Sequence, residues 1–132
     1  MRQTLSLFLL IIPCFSFAQL SSASWLQGNW SGIGYQIDGQ EWTVRLSAGE
    51  ELLTISYPSL ACGGQWELRE VSDHTATGLE TILEGIGNCD QHVEVELELI
   101  GPDRLLVHYY LRWYDADKPI AFAVLARVGE VM

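Results

Sequence analysis

The sequence is short of positive charge. It holds 7 Lys and Arg against 17 Asp and Glu in 132 residues, a formal net charge of −10. A basic footprint for nucleic acid or for an anionic membrane surface is missing. Cysteine is scarce as well, with Cys14, Cys62 and Cys89 the only three. Neither Gly-x-Ser-x-Gly nor His-Glu-x-x-His occurs, and His74, His92 and His108 fall on different segments. No reaction is therefore implied, no catalytic residue is assigned and no cofactor is called for. No segment beyond residue 18 has a helical period with caps. The apolar run from Leu5 to Phe17 also falls short of the about 20 residues of a membrane-spanning helix.

What is present begins with an export pattern. Arg2 precedes an almost wholly apolar run from Leu5 to Phe17, and Ser16-Phe17-Ala18 puts small residues at −3 and −1 of a cleavage site. This is the three-part layout of a secretory signal, expected to be cleaved after Ala18. Pro13 before Cys14 does not suit a lipobox, so acylation is not expected. The expected division is a signal over 1–18, a lead-in over 19–29, one β domain over 30–128 and a tail over 129–132. The location implied is periplasmic or secreted, with no stable membrane insertion once the signal is gone. Arg2 is the only charge in the signal. The remainder keeps all 17 acidic and six of the seven basic residues, a formal charge of −11.

Two cysteines survive such processing. An even count in an exported chain points to one disulfide, Cys62–Cys89, closing a loop of about 28 residues. The alternative is a metal site on Cys62, Cys89 and His92. The Cys89-x-x-His92 spacing would serve, but no fourth ligand is evident, so no metal is assigned.

Eight short segments bounded by Gly, Pro, Asp or Asn follow. They run Trp30–Ile37, Glu41–Leu46, Leu52–Tyr57, Gln65–Val71, Thr75–Ile86, a sixth from Val93 through Leu99, Arg104–Tyr114 and Ile120–Val128. Asp38-Gly39 marks a tight hairpin between the first two. Trp42, Val44 and Leu46 alternate with polar neighbours. So do Val93, Val95, Leu97 and Leu99 with Glu94, Glu96 and Glu98, the pattern of half-buried strands. Gly63 and Gly64 can take positive φ, so the backbone can fold tightly in a loop beside Cys62. Even strands with short turns predict an all-β antiparallel meander, closed into a small barrel that leaves no unpaired edge. A two-sheet sandwich is the alternative.

Gly28-Asn29-Trp30 at the start of the first strand and Arg127 near the end of the last resemble the Gly-x-Trp and closing-arginine pair of lipocalins and their calycin relatives. That resemblance implies a barrel plugged at one end by Trp30, with Arg127 packed over it. The run Tyr57-Pro58-Ser59-Leu60-Ala61-Cys62-Gly63-Gly64-Gln65-Trp66, with Trp30-Ser31-Gly32, Glu80 and Cys89, looks like a pattern in small, uncharacterised exported bacterial domains. Size, export, a disulfide and eight strands are also similar to the barrel inhibitors of lysozyme.

Two functions follow as expectations. In the first, the domain is a non-enzymatic binder holding a small apolar ligand in the barrel mouth with Trp42, Trp66 and Tyr57. In the second, its acidic surface meets a basic protein, as an inhibitor of an enzyme such as lysozyme would. The seventh strand is apolar on both faces, so Tyr110, Trp113 and Tyr114 form a candidate surface stripe. Glu80 and Glu84 share one face of the fifth strand, which could pair carboxylates for acid–base work. They are read as a solvated face, or Glu80 as paired with Arg112 or Arg127, since Glu is seldom buried.

Overall fold

The computed structural model describes residues 23–129. The signal segment, its cleavage site and Cys14 lie outside the described residues, as do residues 130–132 of the tail. The eight strands are β1 (Gly28–Gln36), β2 (Glu41–Ala48), β3 (Leu53–Tyr57), β4 (Cys62–Val71), β5 (Thr75–Glu84), β6 (Val93–Gly101), β7 (Arg104–Tyr110) and β8 (Ala121–Arg127). Short 3-10 turns cover Ser24–Leu26 and Pro58–Leu60.

Each strand pairs antiparallel with its sequence neighbours, and β1 pairs with β8 to close the ring. The predicted eight-stranded meander barrel is the fold, and the ring excludes the sandwich alternative. Period-2 alternation supplies the interior. Val44 and Leu46 of β2, Ile55 of β3, Val95 and Leu97 of β6, Leu105 and Val107 of β7 and Ala123 and Leu125 of β8 all point inward and are buried. Glu94, Glu96 and Glu98 take the outer face of β6.

One end of the barrel is closed. The Ser24–Leu26 turn crosses it, and Trp25 Nε1 donates to the Ser72 carbonyl in the β4–β5 turn at 2.9 Å. Trp30 is fully buried beneath, its Nε1 donating to the Leu26 carbonyl at 2.8 Å. The Arg127 guanidinium lies 4.2 Å from the centroid of the Trp30 ring. Arg127 also donates to the carbonyls of Gln27 at 2.7 Å and Trp25 at 3.1 Å. Its Nε reaches Asp103 at 3.2 Å. The opposite end carries the β1–β2, β3–β4, β5–β6 and β7–β8 connections and forms the mouth.

Two expectations need correction. The seventh strand stops at Tyr110, not Tyr114. The chain turns there because Leu111 accepts from the amides of Tyr114 and Asp115, both at 2.9 Å. The Asp115 carboxylate then accepts from the amides of Asp117 and Lys118. Gly63 and Gly64 lie in β4 and have no positive φ. Their role is clearance, since a Cβ on Gly64 would collide with the Thr81 carbonyl oxygen of β5. The left-handed residue at this turn is Ala61, with φ 58°. Ile33 and Tyr35 share the outer face of β1, where Tyr35 stacks on Phe122 at 5.3 Å. Inward, β1 presents Trp30, Gly32 and Gly34. The Trp42 indole occupies the space a Cβ on Gly34 would need.

Candidate functional site at the barrel mouth

Glu80 is the one buried charged residue among the described residues, 3% exposed. The alternation Ala76, Gly78, Glu80, Ile82 places it on the inner face of β5. Glu84, two positions beyond Ile82, is exposed, so the two carboxylates do not form a pair. The reading of Glu80 as solvated, or as paired with Arg112 or Arg127, is thus overturned. Arg112 instead pairs with Glu94 at 3.2 Å, and Arg127 sits at the closed end.

Three other strands supply the surroundings of Glu80. Its Oε2 accepts from the Tyr57 hydroxyl of β3 and from Trp66 Nε1 of β4, the latter at 2.8 Å. The Tyr57 hydroxyl also lies 3.2 Å from that of Tyr109 on β7. Tyr109 packs edge-on against Trp42 at 6.2 Å and against Tyr57 at 6.3 Å. Trp42 Nε1 is buried with no hydrogen-bond partner among the described residues. The sequence-predicted ligand residues Trp42, Tyr57 and Trp66 are therefore brought into one inward-facing cluster. Tyr109 joins it without having been singled out.

Burial is the main cause that raises the Glu80 pKa above the ordinary carboxylate range. The Tyr57 and Trp66 donors oppose it, and the charge of Asp90 adds to it. Burial also raises the phenol pKa of Tyr57 and of Tyr109, with the neighbouring Glu80 charge contributing to both. A carboxyl with a raised folded-state pKa binds its proton more tightly when folded. Its stabilising contribution is complete below the unfolded value near 4.5 and is lost as pH rises through the folded value. Wild-type protein should accordingly lose stability relative to Glu80→Gln as pH is raised from 4 to 8. Parallel urea titrations check this, and parallel pH curves for the two proteins would contradict it.

Above Glu80 the mouth opens into a pocket of about 270 Å³, with Trp42, Tyr109, Leu60, Gln40 and Asp90 among its walls. The β5–β6 loop forms one side and is tied down three ways. Cys62 and Cys89 are joined as expected, with Cα atoms 6.3 Å apart. Asn88 donates to the Ala61 carbonyl at 3.1 Å. The Gln91 side chain bonds both the amide and the carbonyl of Ile82, at 2.9 and 3.0 Å, where β6 has left β5. Across the mouth, Thr43 and Ser59 exchange amide-to-hydroxyl hydrogen bonds at 3.0 and 3.1 Å, which fix the Pro58–Leu60 turn. With the cysteines bonded to each other, they are not free to ligate a metal. No cluster of three or more metal-ligating side chains occurs among the described residues.

The three surface aromatics separate. Tyr110 lies flat on the outer face of β7, half-buried, with the Arg112 guanidinium 4.0 Å from its ring centroid and its hydroxyl donating to Glu96 at 3.1 Å. Trp113 and Tyr114 stand on the β7–β8 connection beside the mouth, 75% and 64% exposed. Their rings meet edge to face at 6.3 Å.

No protein-family model and no curated protein matches the chain. Solved structures do. A redesigned β-barrel, b11L5F_LGL, aligns with a TM-score of 0.60 and 18% identity over 82% of this chain and 96% of its own. EF1p2_mFAP2b, a structure bound to DFHBI, aligns with a TM-score of 0.55 and 16% identity over 83% of this chain and 99% of its own. At these identities the likeness extends to the fold alone: one closed, eight-stranded antiparallel barrel.

Proposed function

We propose that this domain is a non-enzymatic, exported binding protein that holds a small ligand in the barrel mouth. The observation that carries the reading is the pocket of about 270 Å³ above a buried carboxylate, at the one end of the barrel that no plug covers. The volume is just below the ~300 Å³ low end of ligand pockets, so the guest is small or extends beyond the rim. The disulfided loop and the Thr43–Ser59 clasp hold the walls in advance, which lowers the ordering cost of binding. A structural neighbour bound to a small molecule supports this use of the architecture. The disulfide supports an oxidising compartment. No helix among the described residues is long and apolar enough to cross a membrane.

The pocket walls carry two aromatic faces, Trp42 and Tyr109, suited to a flat apolar guest. Titration with the neutral dye N-phenyl-1-naphthylamine should give saturable one-to-one fluorescence enhancement with a Kd in the micromolar range, about −8 kcal/mol. Ala121 lines the pocket and is buried, so Ala121→Phe should weaken dye binding at least tenfold while circular dichroism stays that of the wild type. Absence of saturable binding, or equal binding by the folded Ala121→Phe variant, would sink the reading.

A further inference from the structure

The charge of the mouth is one-sided. Its titratable wall residues besides Tyr109 are Glu80 and Asp90, and no Lys, Arg or His lines it. Asp90 is exposed at the rim and Glu80 is buried below. Both donors that reach Glu80 go to Oε2, so Oε1 is the oxygen left for a guest. No salt bridge involves Glu80 among the described residues. Arg112, on the β7–β8 connection, is held by Glu94, by Glu96 and by the Ala116 carbonyl. The pocket-lining Trp42 adds a buried, unused N–H. The buried polar atoms of this pocket thus stand ready for a polar guest, where an apolar barrel would offer none.

The second observation is a neighbouring cavity. It also measures about 270 Å³ and shares Gln36, Asp90 and Ile120 with the first. Ile37, Leu111 and Tyr114 make its remaining wall apolar, apart from Asp38. It leads outward between the β1–β2 turn and the β7–β8 connection. A guest that enters the barrel therefore has an apolar path for whatever part of it does not fit inside.

We propose that the mouth takes a cationic amphiphile, with an amine or amidinium head on Glu80 and an apolar tail lying over Ile37, Leu111 and Tyr114. This rests on the small-ligand reading above and narrows it. The chemistry follows from the walls. A protonated amine donates to Glu80 Oε1 in a charge-assisted hydrogen bond, stronger than a neutral one. The faces of Trp42 and Tyr109 favour a cation over a neutral group. A carboxylate or phosphate head would meet two acidic side chains and no basic one, so the same site rejects anionic amphiphiles of equal length.

Isothermal titration calorimetry with n-octylamine, n-octanol and octanoate tests the head group at constant tail length. Octylamine should bind at least tenfold tighter than octanol at low salt, with octanoate weakest. Added salt should narrow the gap. Glu80→Gln keeps an acceptor for Tyr57 and Trp66. It should bring octylamine to the level of octanol and leave octanol within threefold of wild type. Should Glu80→Gln not fold, Asp90→Asn at the exposed rim serves instead and should reduce the amine preference severalfold. Tyr114→Ser should weaken octylamine more than n-butylamine, which is too short to reach the outer cavity. Octylamine binding no tighter than octanol, or a preference that survives in folded Glu80→Gln, would overturn the cationic assignment. If the neutral dye binds and none of the three amphiphiles does, this inference fails and the pocket reading stands. If the dye fails as well, both fall.

Discussion

Replacing Trp30 with alanine should lower the unfolding free energy by about 3–5 kcal/mol, the range for truncating a buried aromatic. At roughly 4–8 °C per kcal/mol for a domain near 100 residues, the midpoint of thermal unfolding should fall by on the order of 12–40 °C. The indole supports more than its own buried area. Its N–H satisfies the Leu26 carbonyl, and its face carries the Arg127 guanidinium. Arg127 in turn holds the carbonyls of Trp25 and Gln27. Removing the ring therefore frees the turn that covers this end. Trp30→Phe keeps an aromatic face and loses the hydrogen bond, so it should cost less than Trp30→Ala. Urea and thermal unfolding followed by circular dichroism measure both. Because Trp30 lies at the closed end, dye affinity at the mouth should be unchanged in any variant that still folds. A loss below 1 kcal/mol for Trp30→Ala would mean that the plug is not structural.

Loss of the Cys62–Cys89 bond is the second large effect. It spans 27 residues, and chain-entropy bookkeeping gives about 3–4 kcal/mol for a loop of that size. Denaturant midpoints with and without reductant, and for Cys62→Ser with Cys89→Ser, should show a drop of that order. The bond joins the start of β4 to the loop that carries Asn88 and Asp90 into the pocket wall. Reduction should therefore weaken ligand binding even at temperatures where the barrel remains folded, unlike Trp30→Phe. Two free thiols in the oxidised protein by mass spectrometry would refute the pairing.

Strand content was legible because the two inner faces with the cleanest alternation, Trp42–Leu46 and Val93–Leu99, need no partner to be recognised. The cysteine pair was legible from number and compartment. The orientation of Glu80 was not. Its phase with Ile82 was visible, but a glutamate four residues from another on one strand face reads as solvated. What makes burial tolerable is the pair of donors on β3 and β4, Tyr57 and Trp66, and cross-strand proximity is set by register rather than by local sequence. The apolar residues Tyr110 to Tyr114 misled for a different reason. They continue the composition of a strand, while the turn that ends it is held by backbone carbonyls and by Asp115. The two glycines beside Cys62 suggested a turn, whereas their lack of side chains admits the neighbouring backbone.

The ring closure bears on how the chain reaches this fold. Seven of the eight ladders join strands adjacent in sequence, separated by connections of no more than ten residues. The eighth pairs Trp30 with Arg127, nearly the whole described chain apart. The entropy of joining distant segments grows with the length between them, so this seam carries the greatest closure cost of any ladder in the ring. It is also where the Arg127–Trp30 stack and the two carbonyl bonds of Arg127 are concentrated. The strongest side-chain fastening at the closed end thus sits at the place where chain connectivity helps least.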